Sequence, residues 1–157
     1  MTKITFLTKN QKHITASFKP MMMSNTIKAI ISFDEPDDFD DTVLQNPIPL
    51  PEVDDNILKL IIKYCEYYYN NTNSKEENEN FDLNFIEIDD KILFDLILAA
   101  NYLEINSLLD FTCKTVADYI KKCTTPQEIR HRFNIQNDFT PEEEEVICKE
   151  NAWCTEK

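Results

Sequence analysis

The 157-residue sequence contains no glycine, although average usage of about 7% would give about eleven. A glycine-rich phosphate loop and a dinucleotide-binding fingerprint are both excluded, because each needs backbone that only glycine supplies. Positive charge is scarce: 16 Lys and Arg stand against 29 Asp and Glu, a net charge of −13. Such a field repels phosphates, so no nucleic-acid partner is expected. No apolar run approaches the ~18 residues of a membrane span, and no membrane partner is expected. The start, Met1 to Leu7, is followed by polar residues rather than by the apolar stretch of a signal peptide. Cysteine is present five times, as Cys65, Cys113, Cys123, Cys148 and Cys154. An odd number without framework spacing argues against a disulfide scaffold and for a reduced, soluble compartment. There is no Cys-x-x-Cys, and the two histidines, His13 and His131, lie far apart without a motif around either, so neither a metal site nor a cofactor is expected. Cys65 and Cys113 lie on apolar helix faces and read as core residues rather than nucleophiles. Carboxylates are plentiful, but nothing pairs them with a pocket. The class left by these exclusions is a non-catalytic protein-interaction module. A hydrolase using Cys113 or a glutamate pair is the alternative from a different class.

What is present suits one compact unit, since a chain of this mass buries about 70% of its unfolded surface. Charge is segregated along it. Residues 1–32 carry five Lys and no acid, whereas residues 33–56 carry nine acids and no base. Asp34-Glu35-Pro36-Asp37-Asp38-Phe39-Asp40-Asp41 reads as part of a mobile acidic loop over 34–46. It lacks the turn glycine and closing Glu of a calcium loop. A second polar run, Asn70 to Asn80, reads as another mobile loop. Ile4 and Phe6, then His13 to Ala16, predict two short strands around Thr8–Lys12. Pro47-Ile48-Pro49-Leu50-Pro51 reads as an extended edge segment.

Helix-start grammar then appears four times. Glu52-Val53-Asp54-Asp55-Asn56-Ile57-Leu58 matches Glu87-Ile88-Asp89-Asp90-Lys91-Ile92-Leu93. In each, the first Asp is placed to cap a helix, and the apolar residue before it to staple onto the Leu. Thr125-Pro126-Gln127-Glu128 and Thr140-Pro141-Glu142-Glu143 each offer a Thr cap, a Pro at the first helical position and a Glu three residues after the cap. Ile57, Leu58, Ile61, Ile62 and Cys65 have helical spacing, as do Leu93, Leu96, Ile97 and Ala100. A further helix over Leu108 to Lys121 is apolar at Leu109, Cys113, Val116 and Ile120.

Longer strings carry a resemblance. Ile97-Leu98-Ala99-Ala100-Asn101-Tyr102-Leu103-Glu104-Ile105 is followed by Leu108-Leu109-Asp110-Phe111-Thr112-Cys113-Lys114-Thr115-Val116-Ala117. Then come Ile129-Arg130, Phe133-Asn134-Ile135, Asn137-Asp138-Phe139-Thr140-Pro141 with Glu142 to Glu145, and Lys149-Glu150-Asn151-Ala152-Trp153-Cys154. Together they closely resemble the Skp family, the adaptors of SCF ubiquitin ligases. Thr26-Ile27-Lys28 and Pro47 to Pro51 look like earlier landmarks of that family, and the first forty residues match loosely. The family has glycines where this chain reads Asn10-Gln11, Asn106-Ser107 and Lys122-Cys123, and a Trp where Phe81 stands. Asn tolerates left-handed backbone, so a turn at Asn106 is expected.

The resemblance implies an α/β BTB/POZ fold over 1–121, with a short three-stranded sheet flanked by helices, and a helical F-box-binding extension over 122–157. It implies a non-enzymatic adaptor without cofactor, whose partners are F-box proteins and a cullin and, indirectly, a RING protein and a ubiquitin-conjugating enzyme. A weak homodimer of the free protein and a cytoplasmic and nuclear location go with it. Cullin contacts map onto Asn101 and Tyr102. The F-box platform maps onto Leu109, Cys113, Val116, Ile120, Ile129, Phe133, Ile135, Phe139, Val146 and Trp153. The apolar members of that platform read equally as internal core, apart from Trp153, a large ring near a polar chain end. The Asn137 to Pro141 tail separates this family from elongin-like adaptors. A divergent paralogue that binds F-box proteins without a cullin is the other reading within the family. In some protist members the proline matching Pro141 is hydroxylated and glycosylated; here Pro141 also reads as a plain helix-starting proline.

Overall fold

The computed structural model describes residues 2–32, 46–69 and 72–154. The expected acidic loop lies outside the described residues, apart from Asn46. The chain packs as two units, one up to Asp118 and one from Tyr119 on.

The first unit begins with β1 (Lys3–Thr8) and β2 (His13–Ser17), paired antiparallel with Phe6 opposite Ile14. Ile4, Phe6 and Thr8 alternate inward, which is the period of a strand with one buried face. The turn between the strands puts Gln11 at φ 59°, a left-handed position that Gly would take more cheaply. The Pro-flanked segment forms β3 (Ile48–Leu50), parallel to β1 and at the opposite edge from β2. Pro49 points outward there, where an edge strand tolerates a missing donor.

The helices that accompany this sheet in the chain are α1 (Phe18–Met21), α2 (Asn25–Ser32), α3 (Asp55–Tyr69), α4 (Lys75–Ile86), α5 (Asp90–Tyr102) and α6 (Asn106–Lys122), and α1 and α3 pack against β2. The core joins Phe6 and Leu50 of the sheet to Ile27, Leu58, Ile61, Phe85, Leu96, Leu103, Ile105 and Leu108, all buried. Burial of each large side chain contributes about 1.5–3 kcal/mol. Cys65 sits in this core, and burial pushes its thiol up to about 12, so it is inert.

Three expectations are corrected. Residues 70–80 are not all loop, because α4 starts at Lys75. Ser74 accepts from the Glu77 amide and the Glu77 carboxylate accepts from the Ser74 amide. One-sided aromatics then fix the helix, with Phe81 stacked on Tyr67 at 3.7 Å between ring centres. The left-handed residue before α6 is Glu104 (φ 50°), not Asn106, which already begins the helix. The amides of Glu104 and Ile105 close α5 onto the carbonyls of Asn101 and Ala100. Cys113 is exposed rather than core, because α6 turns Leu108 and Thr112 inward and Cys113 lies about a quarter turn away.

The repeated Asp pairs play different parts. Asp89 caps α5 by accepting from the Lys91 amide. At α3 the Asp54 carbonyl accepts the first helical bond, from Leu58, while Asp55 turns inward. Asp55 accepts from Lys12 Nζ (2.9 Å), Asn10 Nδ2 (2.9 Å) and Lys59 Nζ (3.3 Å). It thereby ties the β1–β2 turn to α3. The Lys12 hydrogen bond, foremost, holds its carboxyl well below the usual carboxylate range. A depressed carboxyl contributes stability that is present above its unfolded value and is lost as pH falls toward the folded one. The melting-temperature gap between the natural protein and Asp55→Asn should therefore be constant above about pH 5 and close progressively below about pH 4. Melts across that range check it, and a gap that persists unchanged in acid would contradict the linkage.

The second unit holds the end of α6, then α7 (Pro126–Phe133), α8 (Pro141–Glu150) and a 3-10 turn, Ala152–Cys154. Both Thr caps form: Thr125 accepts from the Glu128 amide and Thr140 from the Glu143 amide. The Glu143 carboxylate returns to the Thr140 amide, whereas Glu128 reaches one residue further, to Thr124. Asn134, at φ 52°, ends α7. Arg130 bonds Glu144 at 3.0 Å and joins α7 to α8. The Arg132 guanidinium lies 4.0 Å from the centre of the Tyr119 ring.

Candidate functional site

Two surfaces carry the residues singled out in the sequence. The first is the end of α5. The carbonyl of its last residue and those of the two residues after it are taken by the segment that starts α2. Ser24 Oγ donates to the Leu103 carbonyl, Thr26 Oγ1 to that of Tyr102 (3.0 Å), and the Asn25 amide to that of Glu104. Asn101 and Tyr102 therefore project from a fixed backbone, and both are exposed. One turn earlier stands Leu98, 68% exposed. Leu98, Tyr102, Asp95, Lys9, Glu52 and Asp54 line a hollow of ≈ 340 Å³. Leu98 was legible: inward residues at Leu93, Leu96 and Ala100 leave it as an apolar side chain on the outer face.

On α6, the expected platform residues occupy the side next to the buried one. In the first unit Leu109 packs half-buried against the core, Val116 is half-buried and Cys113 is exposed. In the second unit Ile120 is exposed, and Ile129 and Phe133 are half-buried. Beyond α7 the apolar side chains lie open: Ile135, Phe139 at 50%, Val146 at 53%, and Trp153 at 74%. No described residue of this unit is buried. Such side chains cost free energy in water unless something covers them.

The tail motif has a clear local logic. Asn137 Oδ1 accepts from the Phe139 amide (3.2 Å), and Asn137 Nδ2 donates to Glu144 (3.3 Å). This sets Phe139 directly before the Thr140 cap of α8. Phe139, Glu142, Glu143, Val146 and Ile147 line an open groove of ≈ 430 Å³. Ile147 had not been singled out; it follows Val146 directly and widens the same apolar strip. Pro141 is exposed at the first position of α8.

Among the described residues no group of His, Cys, Asp and Glu could hold a metal ion, and no helix is long and apolar enough to cross a membrane. The arrangement has the chemistry of contact surfaces: apolar strips with polar rims.

Comparison with known proteins finds two family models along the chain. The model of the Skp1 family tetramerisation domain, a POZ domain, matches residues 2–70, and that of the Skp1 family dimerisation domain matches residues 106–154. A Skp1-related protein of Caenorhabditis elegans is 47% identical over 142 residues, covering 84% of this chain and 80% of its own length. SKP1-like protein 11 of Arabidopsis thaliana is 50% identical over 120 residues, 74% of this chain and 78% of its own. The SCF ubiquitin ligase complex protein SKP1a of Dictyostelium discoideum is 48% identical over 122 residues, 71% of this chain and 75% of its own.

Proposed function

The chain belongs to the Skp1 family, and from that premise we propose that it is a non-catalytic adaptor of an SCF-type E3 ubiquitin ligase. Its carboxy-terminal unit holds an F-box substrate receptor, and the end of α5 holds a cullin. Through the cullin it is joined to a RING protein and a ubiquitin-conjugating enzyme. The observation that carries the reading is the second unit, which buries no described residue yet presents Ile135, Phe139, Val146, Ile147 and Trp153 to solvent. A surface of that kind is completed by a partner's apolar helices. The relative named as an SCF ubiquitin ligase complex protein supports the assembly in which this happens.

The α5 surface suits a different partner. Leu98 and the Tyr102 ring supply apolar area, while Asn101, Asp95 and the Tyr102 hydroxyl supply a polar rim. The test is bridging: a purified F-box protein and a purified cullin should come together only when this chain is present.

A further inference from the structure

Four consecutive glutamates open α8, and three of them are engaged within the protein. Glu143 closes the capping box on the Thr140 amide at 2.9 Å. Glu144 holds Arg130 at 3.0 Å and accepts from Asn137. Glu145 pairs with Lys149 one turn on, at 2.6 Å. Among the described residues the Glu142 side chain has neither a hydrogen bond nor an ion pair. Glu142 and Glu143 both line the groove, with Phe139, Val146 and Ile147, and of the two only Glu142 is left out of the cap. The groove thus combines an apolar floor with one carboxylate left unmatched, on a chain of net charge −13.

We infer that the segment seated on α8 presents a lysine or arginine to Glu142, beside the apolar side chain that covers Phe139 and Val146. The inference rests on the F-box reading and adds the chemistry that selects among receptors: a cation flanking the apolar contact is favoured, and an acidic residue at that place is rejected. The exposed position of Glu142 limits the direct energy of such a pair, so its main effects are on encounter rate and on discrimination.

The experiment uses the full chain and a recombinant F-box protein, with rates measured by surface-bound kinetics at low and high salt. Glu142→Gln should slow association about three- to fivefold at low salt, with the difference vanishing at high salt. Glu142→Lys should slow it further. Replacing the facing Lys or Arg of the F-box protein by Glu should be rescued by Glu142→Lys. Glu145→Gln, which lies off the groove, should change nothing, and melts of each variant separate folding effects from binding effects. Unchanged or faster association of Glu142→Gln overturns the inference while leaving the F-box reading intact. No binding of the natural chain to any F-box protein overturns both.

Discussion

Replacing Trp153 by alanine weakens binding of an F-box protein by about 2 kcal/mol or more, roughly thirtyfold, and leaves the melting temperature of the free protein where it was. The ring belongs to a short 3-10 turn after α8 and is 74% exposed. It fills no internal space, so its loss leaves no cavity, and surface substitutions of that kind stay within about 0.5 kcal/mol. In a complex, the same ring is a large apolar body with one donor, the make-up of an interface anchor. Phe139→Ala acts the same way, since Asn137 holds its backbone and the side chain is half open. Titration calorimetry against an F-box protein, alongside melts of the free variants, checks both. Unfolding of free Trp153→Ala would make the ring a core residue.

The second large effect is on the other surface. The triple variant Leu98→Asp, Asn101→Ala, Tyr102→Ala should lose cullin binding by more than about 100-fold while F-box binding stays within twofold or so. Leu98→Asp places a carboxylate in the middle of an apolar contact, where desolvation is costly. The fold should tolerate the changes, because Leu98, Asn101 and Tyr102 are exposed and the bond from Thr26 is made to the Tyr102 backbone carbonyl. Paired pulldowns with each partner separately read the split. Loss of both partners from this variant, with folding intact, would contradict two independent surfaces.

Much of this was legible in the residues. The alternation of Ile4 and Phe6 yields a strand because period 2 matches one buried face. Thr125-Pro126 and Thr140-Pro141 mark helix starts because cap and ring geometry act within four residues. Ser74-Lys75-Glu76-Glu77 obeys the same grammar, but the polar run around it hides the aromatic spacing of Phe81 and Phe85 that pins α4. Asp55 was obscured for another reason: its partners Lys12 and Asn10 are more than forty residues away. The left-handed turn at Glu104 was obscured because Asn106, two residues on, has the better intrinsic tolerance, yet helix closure decides the position. At the candidate site, Trp153 stood out as a large ring near a polar chain end, whereas Phe139 and Tyr102 came through the family resemblance. Glu142 needed the structure, since its meaning lies in what fails to pair with its side chain.

The central claim is that one chain joins an F-box receptor to a cullin through separate surfaces. Size-exclusion chromatography with light scattering, on the full chain mixed with a purified F-box protein and a purified cullin, tests it most directly. The account predicts a single 1:1:1 species, no F-box–cullin complex without the chain, and loss of only the cullin when the chain carries the Leu98, Asn101 and Tyr102 changes. A stable pair of chain and F-box protein from which the natural chain leaves the cullin eluting alone would contradict it.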